Sequence, residues 1–248
     1  RTARQISKAH RRARTPDYCA WPPPVRRSQC SSLVAHPKKA EAMYSPDFHL
    51  ESREEVLLDA IDSIGFAILI GCAGGQPLAT HLPFLLDRTR GKRGVLVSHM
   101  ARANPHWQTF DGKAEALVAF SGPHGYISPR WYQSNDQVPT WNYVAVHCTG
   151  TPTLIGDSLA HLGALADHME KGAEEPWSLG QIPPGKAAAM AGAVQAFEIP
   201  INAIVGKIKL SQNRTDADRT GVIAELKASK SAGDQELAAA MQSAMPEP

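Results

Sequence analysis

Three segments of this 248-residue chain carry side chains whose types and spacing could do chemistry. The first is Ser98-His99-Met100-Ala101-Arg102-Ala103-Asn104-Pro105, a strand running straight into an Asn-Pro helix start. Free backbone N–H groups, the positive end of a helix dipole and the Arg102 guanidinium would converge there, as a phosphate monoester requires. The same residues also serve as a plain cap at Asn104 and a surface ion pair at Arg102, and spacing leaves both readings open. The second runs Gly122-Pro123-His124-Gly125-Tyr126-Ile127-Ser128-Pro129-Arg130-Trp131-Tyr132 and resumes at Val138-Pro139-Thr140-Trp141-Asn142-Tyr143. Flat apolar faces beside Thr140 and Asn142 suit a planar heterocycle, and equally a core or a subunit interface. The third is Gly206-Lys207-Ile208-Lys209-Leu210-Ser211-Gln212-Asn213-Arg214. Strand alternation puts Lys207, Lys209 and Ser211 on one face, able to close over an anion or simply to sit in water.

Several familiar chemistries have no footing. The chain has no GxGxxG or GxxxxGK[ST], no HExxH and no GxSxG, which leaves Rossmann and P-loop nucleotide folds, zincins and the usual α/β-hydrolases unsupported. Its ten histidines never pair at a tight ligand spacing, so no metal site is expected. Cys72 and Cys148 stand alone, without a CxxC partner, and read as reduced thiols of a cytoplasmic protein.

The elements that must position these segments follow from pattern. Ser52-Arg53-Glu54-Glu55 reads as a capping box, with Leu57, Ala60, Ile61 and Ile64 on one face of the helix it opens and Gly65 at its end. Phe66–Ile70 and the alternation Leu78, Thr80, Leu82, Phe84, Leu86 form a hairpin around Gly74-Gly75, and further strands are expected at 95–100, 115–120 and 143–149. Asp157-Ser158 caps a helix with Leu159, Leu162, Leu165, Ala166 and Met169 inward, and an alanine-rich helix is expected over 186–196. Strand character returns over 197–210 with a break at Gly206, and a last helix covers 217–230. Short strands, tight turns and inserted helices predict a mainly β, α+β fold, an antiparallel barrel with flanking helices.

Charge divides the chain. Residues 1–42 hold ten Lys/Arg against two acids, a charge of +8, whereas residues 43–248 sum to −6. The prolines and arginines of 1–42 predict a disordered basic extension ahead of a natural start at Met43. Residues 231–248 are expected to fray, leaving 43–230 as the domain. A body at −6 lacks the overall basic footprint of a nucleic-acid binder. No apolar run approaches the about 20 residues that span a bilayer, so no membrane partner is expected.

Taken in order, Met43-Tyr44-Ser45-Pro46, His81-Leu82-Pro83-Phe84, His99-Met100-Ala101-Arg102-Ala103-Asn104-Pro105, Tyr126-Ile127-Ser128-Pro129, Val138-Pro139-Thr140-Trp141-Asn142-Tyr143 and Lys209-Leu210-Ser211-Gln212-Asn213-Arg214 make a specific string. Over residues 43–228 the chain resembles the PaiB family of FMN-binding negative transcriptional regulators, whose fold is the split β-barrel of pyridoxamine-phosphate oxidase. The resemblance implies an FMN cofactor held near the interface of a homodimer. On that basis the phosphate is expected near Ser98, His99, Arg102 and Asn104, with Lys209 and Arg214 as further positive charge. The ring is expected near Thr140, Trp141, Asn142 and Tyr143, with Ser211, Gln212 and Asn213 completing the cofactor site. Two functions follow: a repressor of sporulation and protease-synthesis genes with a DNA or transcription partner, or an FMN-dependent oxidoreductase of the flavin-reductase or oxidase type. The second needs no conspicuous protein acid or base, since flavin carries the electrons.

Overall fold

Leu57, Leu58 and Ile61 recur at helical spacing and are buried on one face of α1 (Glu54–Ile64), which Gly65 terminates at a positive φ of 60°. A computed structural model describes residues 43–245, so the expected basic extension 1–42 lies outside the described residues. The Ser52 capping box does not form. Arg53 is the N-cap, and its N–H and guanidinium are both held by the Glu51 carboxylate (2.7–2.9 Å), which starts the helix one residue later.

A short strand β1 (Leu50–Glu51) precedes α1; β2 (Phe66–Ala73) and β3 (Gln76–Asp87) follow it as a hairpin, with Gly74 and Gly75 both at positive φ. Then come β4 (Val95–Ala101), β5 (Ala116–Ile127), β6 (Thr140–Gly150), β7 (Thr153–Leu154), α2 (Ser158–Met169), α3 (Pro184–Gly192), β8 (Val194–Pro200), β9 (Ala203–Lys209), α4 (Asp216–Ala228) and α5 (Ala232–Ser243). All strand pairs are antiparallel, in the order β1-β9-β6-β5-β2-β3-β4-β8-β7. β3 pairs with β2 up to Pro83 and with β4 from Phe84 onward, so the sheet passes into its second half there. The halves meet again at Gly150, where a Cβ would overlap the Pro200 carbonyl oxygen and stand 2.6 Å from an Ile199 methyl. This is a split β-barrel with five flanking helices. Its interior holds Leu69, Val118, Val146 and the edge-to-face rings of Phe84, Phe120 and Phe197, each fully buried side chain contributing about 1.5–3 kcal/mol. Among the described residues no helix is long and apolar enough to cross a membrane.

Four expected features are corrected. β5 continues past Phe120 to Ile127, because a register shift between Ser121 and His124 absorbs Gly122-Pro123 without ending the strand. β9 runs through Gly206 unbroken; glycine is needed there because a side chain would overlap Leu57, which lets α1 lie against the strand. The alanine-rich helix stops at Gly192, since Ala196 and Phe197 are drawn into the ladder opposite His99 and Ser98 and become fully buried. Residues 231–243, expected to fray, are ordered as a capped helix. Ser231 caps α5, whose Leu237, Ala238 and Met241 are fully buried with Val222, Ile223 and Leu226 of α4 in a second core.

The Gly150 contact gives a test of barrel closure. Gly150→Ala forces a methyl group onto a backbone carbonyl that has little room to retreat, and is expected to cost about 1–3 kcal/mol. Urea denaturation should show the lower midpoint; an unchanged midpoint would mean that β6 and β8 do not meet this closely.

Candidate functional site

Pairing of β6 with β9 sets Tyr143 opposite Lys209 and Ala145 opposite Lys207. Lys207 is buried, its Nζ donating to the Tyr44 carbonyl (3.2 Å) and lying 5.5 Å from the ring centroids of both Tyr44 and Tyr143. Lys209 Nζ donates to Thr140 Oγ1 at 2.7 Å. Past the strand, Ser211 adopts a positive φ of 63°, a conformation unusual for a side-chain-bearing residue, and its hydroxyl meets the Asn142 amide at 2.9 Å. Gln212 secures that turn by accepting the Leu210 N–H (2.7 Å) and donating to the Ile208 carbonyl. Arg214 stacks over Tyr132 (5.2 Å) and donates to Gln137 Oε1.

These groups frame a cleft of about 380 Å³. Thr140, Asn142, Lys209, Ser211, Asn213 and Arg214 all line it, together with Lys207 and the N-terminal residues Tyr44, Phe48 and His49. Among the described residues no carboxylate lines it. His49 is buried with its Nδ1 unpartnered, and burial leads the causes that hold its pKa down, with Lys209 and Lys207 adding to it. The cleft therefore offers cations and hydrogen-bond donors and lacks a counter-charge of its own. Each cation–π contact of Lys207 is worth about 0.5–2 kcal/mol, less than the several kcal/mol that taking an ammonium out of water costs. An arriving anion would make up that difference.

The loop that reaches the cleft at Val138 and Pro139 is held at its start, Gln133 and Ser134, by Asp218. Its carboxylate accepts the N–H groups of Ser134 and Gln133 (2.8 Å each) and the Ser134 hydroxyl (2.7 Å), and these bonds hold its pKa below the usual carboxylate range.

The remaining expected residues lie elsewhere in the protomer. Ser98 points into the barrel and donates to the Pro83 carbonyl at 2.6 Å. His99 Nδ1 is 3.0 Å from His161 Nε2 on α2. Arg102 is exposed and donates to the carbonyls of Gly192 and Val194, 3.2 Å each. Asn104 caps the 3-10 turn Pro105–Thr109 as expected, accepting the His106 N–H (3.0 Å) and donating to Thr80 (3.3 Å). Trp141 faces Tyr126 (6.3 Å) beside α5, away from the cation cleft. Tyr44, His49, Tyr132, Gln137 and Asp218 were not foreseen as site residues. Lys207 alone had a signal, its alternation with Lys209; Tyr44 and His49 reach the cleft across some 160 positions of sequence.

A split barrel with a cation-lined cleft at one strand end is the class that the geometry defines. The chain belongs to the family described as "Putative FMN-binding domain", whose model matches residues 43–203. It is 32% identical over 202 residues to the protease synthase and sporulation protein PAI 2 of Bacillus subtilis (strain 168), covering 81% of this chain and 97% of that one. A protein of Emericella nidulans is 27% identical over 224 residues, 73% of this chain and 89% of that one. Among solved structures, the flavocytochrome Anf3 from Azotobacter vinelandii has the same fold at 16% identity, with a TM-score of 0.54 over 73% of this chain and 79% of that one.

Asp218 yields a prediction about the loop that leads to the cleft. In Asp218→Ala the amides of Gln133 and Ser134 should exchange with solvent faster, on the order of tenfold, while those of β5 stay protected. In the parent chain the same loosening should set in on acidification, because a lowered carboxylate stabilises above its ordinary pKa of about 3.9 and loses that contribution as pH falls through its folded value. Unchanged exchange in the variant would remove Asp218 as the anchor.

Proposed function

We propose that this chain binds FMN across a homodimer and acts in the cytoplasm as a negative transcriptional regulator of the PaiB type. The observation that carries the cofactor assignment is the cleft holding Lys207, Lys209 and Arg214 with no carboxylate, in a chain of the FMN-binding family. Its donor set fits the group: two lysines and a guanidinium for negative charge, and the Thr140, Ser211 and Asn213 side chains for hydrogen bonds. Lys209 and Arg214 are already held by Thr140 and Gln137, so little side-chain freedom is lost on binding. Tyr44, Phe48 and Pro139 would shield the bound group from water. Bound FMN would supply reversible electron transfer.

The phosphate is assigned to the exit of β4, with Arg102, Asn104 and neighbouring N–H groups from one protomer and Lys209 and Arg214 from its partner. Within one protomer these groups sit at the ends of β4 and β9, which β6, β5, β2 and β3 separate in the sheet order, and that is what favours a shared site. A face for the partner is available. Ile68 pairs with Ala119 and His81, and Ile70 with Leu117 and Ala79, so these residues share the outer side of β2, β3 and β5, where Phe66 is 55% exposed.

The regulatory role is supported by the likeness to the Bacillus protein, whose name joins protease synthesis and sporulation. A second reading, an FMN-dependent oxidoreductase, is favoured by charge. The α4–α5 pair joins two helices through a short turn, but α5 carries Asp234 and no lysine or arginine, unlike a helix that reads DNA. A salt-dependent shift of operator DNA by the purified protein would support the regulator; NAD(P)H oxidation without such a shift would support the enzyme.

Two variants test the cofactor site. Lys209→Ala and Arg214→Ala should each weaken FMN by about 1.5–3 kcal/mol, roughly ten- to hundredfold, and leave riboflavin affinity nearly unchanged, as measured by flavin fluorescence quenching. Equal losses for both flavins would take the phosphate away from these residues. Ile68→Glu should convert the dimer to monomers in light scattering and abolish tight FMN binding; a dimer that persists would move the interface elsewhere.

A further inference from the structure

α2 is docked on the barrel through a face that mixes polar and apolar groups, Ser158 and His161 with the half-buried Leu162, Leu165 and Ala166. Leu159 and Met169 are 38% and 54% exposed, and the two residues it buries are Ser158 and His161. Both make polar contacts with the sheet: Ser158 Oγ accepts the Ala196 N–H at 3.4 Å, and His161 Nε2 lies 3.0 Å from His99 Nδ1, the rings edge to face at 5.1 Å. Apolar area alone would hold a helix without regard to protons, but this one is also joined to β4 through a bond that contains a single proton. That bond requires one facing nitrogen to be bare. When both carry protons, two cations confront each other in a buried space.

We propose that the His99–His161 pair is an acid-released latch, and that its opening lifts α2 and the following α3 away from the exit of β4. α3 is the element whose last carbonyl, Gly192, accepts from Arg102, so release would free His99 and remove one of the two carbonyls that hold the Arg102 guanidinium, its bond to Val194 on β8 remaining. The consequence for flavin entry rests on the FMN reading above, while the latch itself does not.

The charged surroundings do not replace the lost proton bond. On the elements packed against α2, β4 contributes His99 alone and β8 contributes Glu198, which Arg90 already engages at 2.9 Å. Lys186 on α3 is exposed, and the 3-10 turn Leu179–Gln181 carries no charge. On α2 and its cap, Asp157 accepts the Ala160 N–H, while Asp167 and His168 are exposed. Arg90, Asp87, Asp62 and Arg88 border the same side of the helix as mutual ion pairs. Burial lowers the pKa of His99, and burial together with the charge of His99 lowers that of His161 to about 4. A group depressed in this way leaves the docked state fully stable above the ordinary histidine value near 6.5, and weakens it as pH falls from there toward the docked value.

Hydrogen exchange on the flavin-free full chain tests this, with rates corrected for intrinsic exchange, so that its outcome is independent of the FMN titrations. Between about pH 7.5 and about pH 5, protection of the α2 amides should fall on the order of tenfold or more, while β2 and β5 keep theirs. The double variant His99→Gln/His161→Gln, which keeps polar partners without the titration, should lose the response, and His168→Gln should retain it. Constant α2 protection in the parent chain, a response surviving in the double variant, or one abolished by His168→Gln would overturn the latch.

Discussion

Positive charge without an internal counter-charge is the constraint around which this protein is arranged. Lys207, Lys209 and Arg214 line one cleft, and the fold provides them with carbonyl, hydroxyl, amide and aromatic partners but no carboxylate. Elsewhere on the barrel the opposite holds: Arg88, Arg90 and Arg93 are each matched to acids. The contrast supports the proposal that an anion binds in the cleft, since buried or half-buried cations persist only when something offsets their lost hydration.

Much of the scaffold serves to hold that cleft open and correctly shaped. Gly206 allows α1 to press on β9, fixing the strand that carries both lysines. The second core, Val222, Ile223 and Leu226 of α4 with Leu237 and Met241 of α5, supports the turn at Ser211 through Leu210, which is buried among them. Asp218 stands at the first turn of α4 and reaches across to the 133–134 backbone, so the same helix that closes the core also anchors the start of the loop that reaches the cleft at Val138. A positive φ at Ser211 is then the local strain at which the chain turns from strand to loop beside the ligand groups.

The strands, the hairpin at Gly74-Gly75 and the caps at Asn104 and Asp157 were legible because alternation, turn chemistry and capping are local properties. So was the run Lys209 to Arg214, most of which does line the cleft. What escaped reading depends on distant partners. Nothing near Gly206 announces Leu57, and nothing near His99 announces His161. Periodicity turned Leu159, Leu162, Leu165, Ala166 and Met169 of α2 inward; Leu162, Leu165 and Ala166 are half-buried, but Leu159 and Met169 are exposed and Ser158 and His161 take the fully buried positions. Alanines at 193–196 favour a helix in isolation, but β4 needed a strand beside it, and pairing outweighed propensity. α5 was missed because its three buried positions sit in a short polar segment whose value emerges only on contact with α4.

The central claim is that a flavin's negative charge completes this cleft and is shared between two chains. Sedimentation velocity followed at the visible absorbance of oxidised flavin addresses it most directly, with FMN added to the purified chain in increasing amount. The account predicts that colour travels with a two-chain species and saturates at one FMN per chain. Colour on a single chain, or protein that stays colourless at saturating FMN, would contradict it.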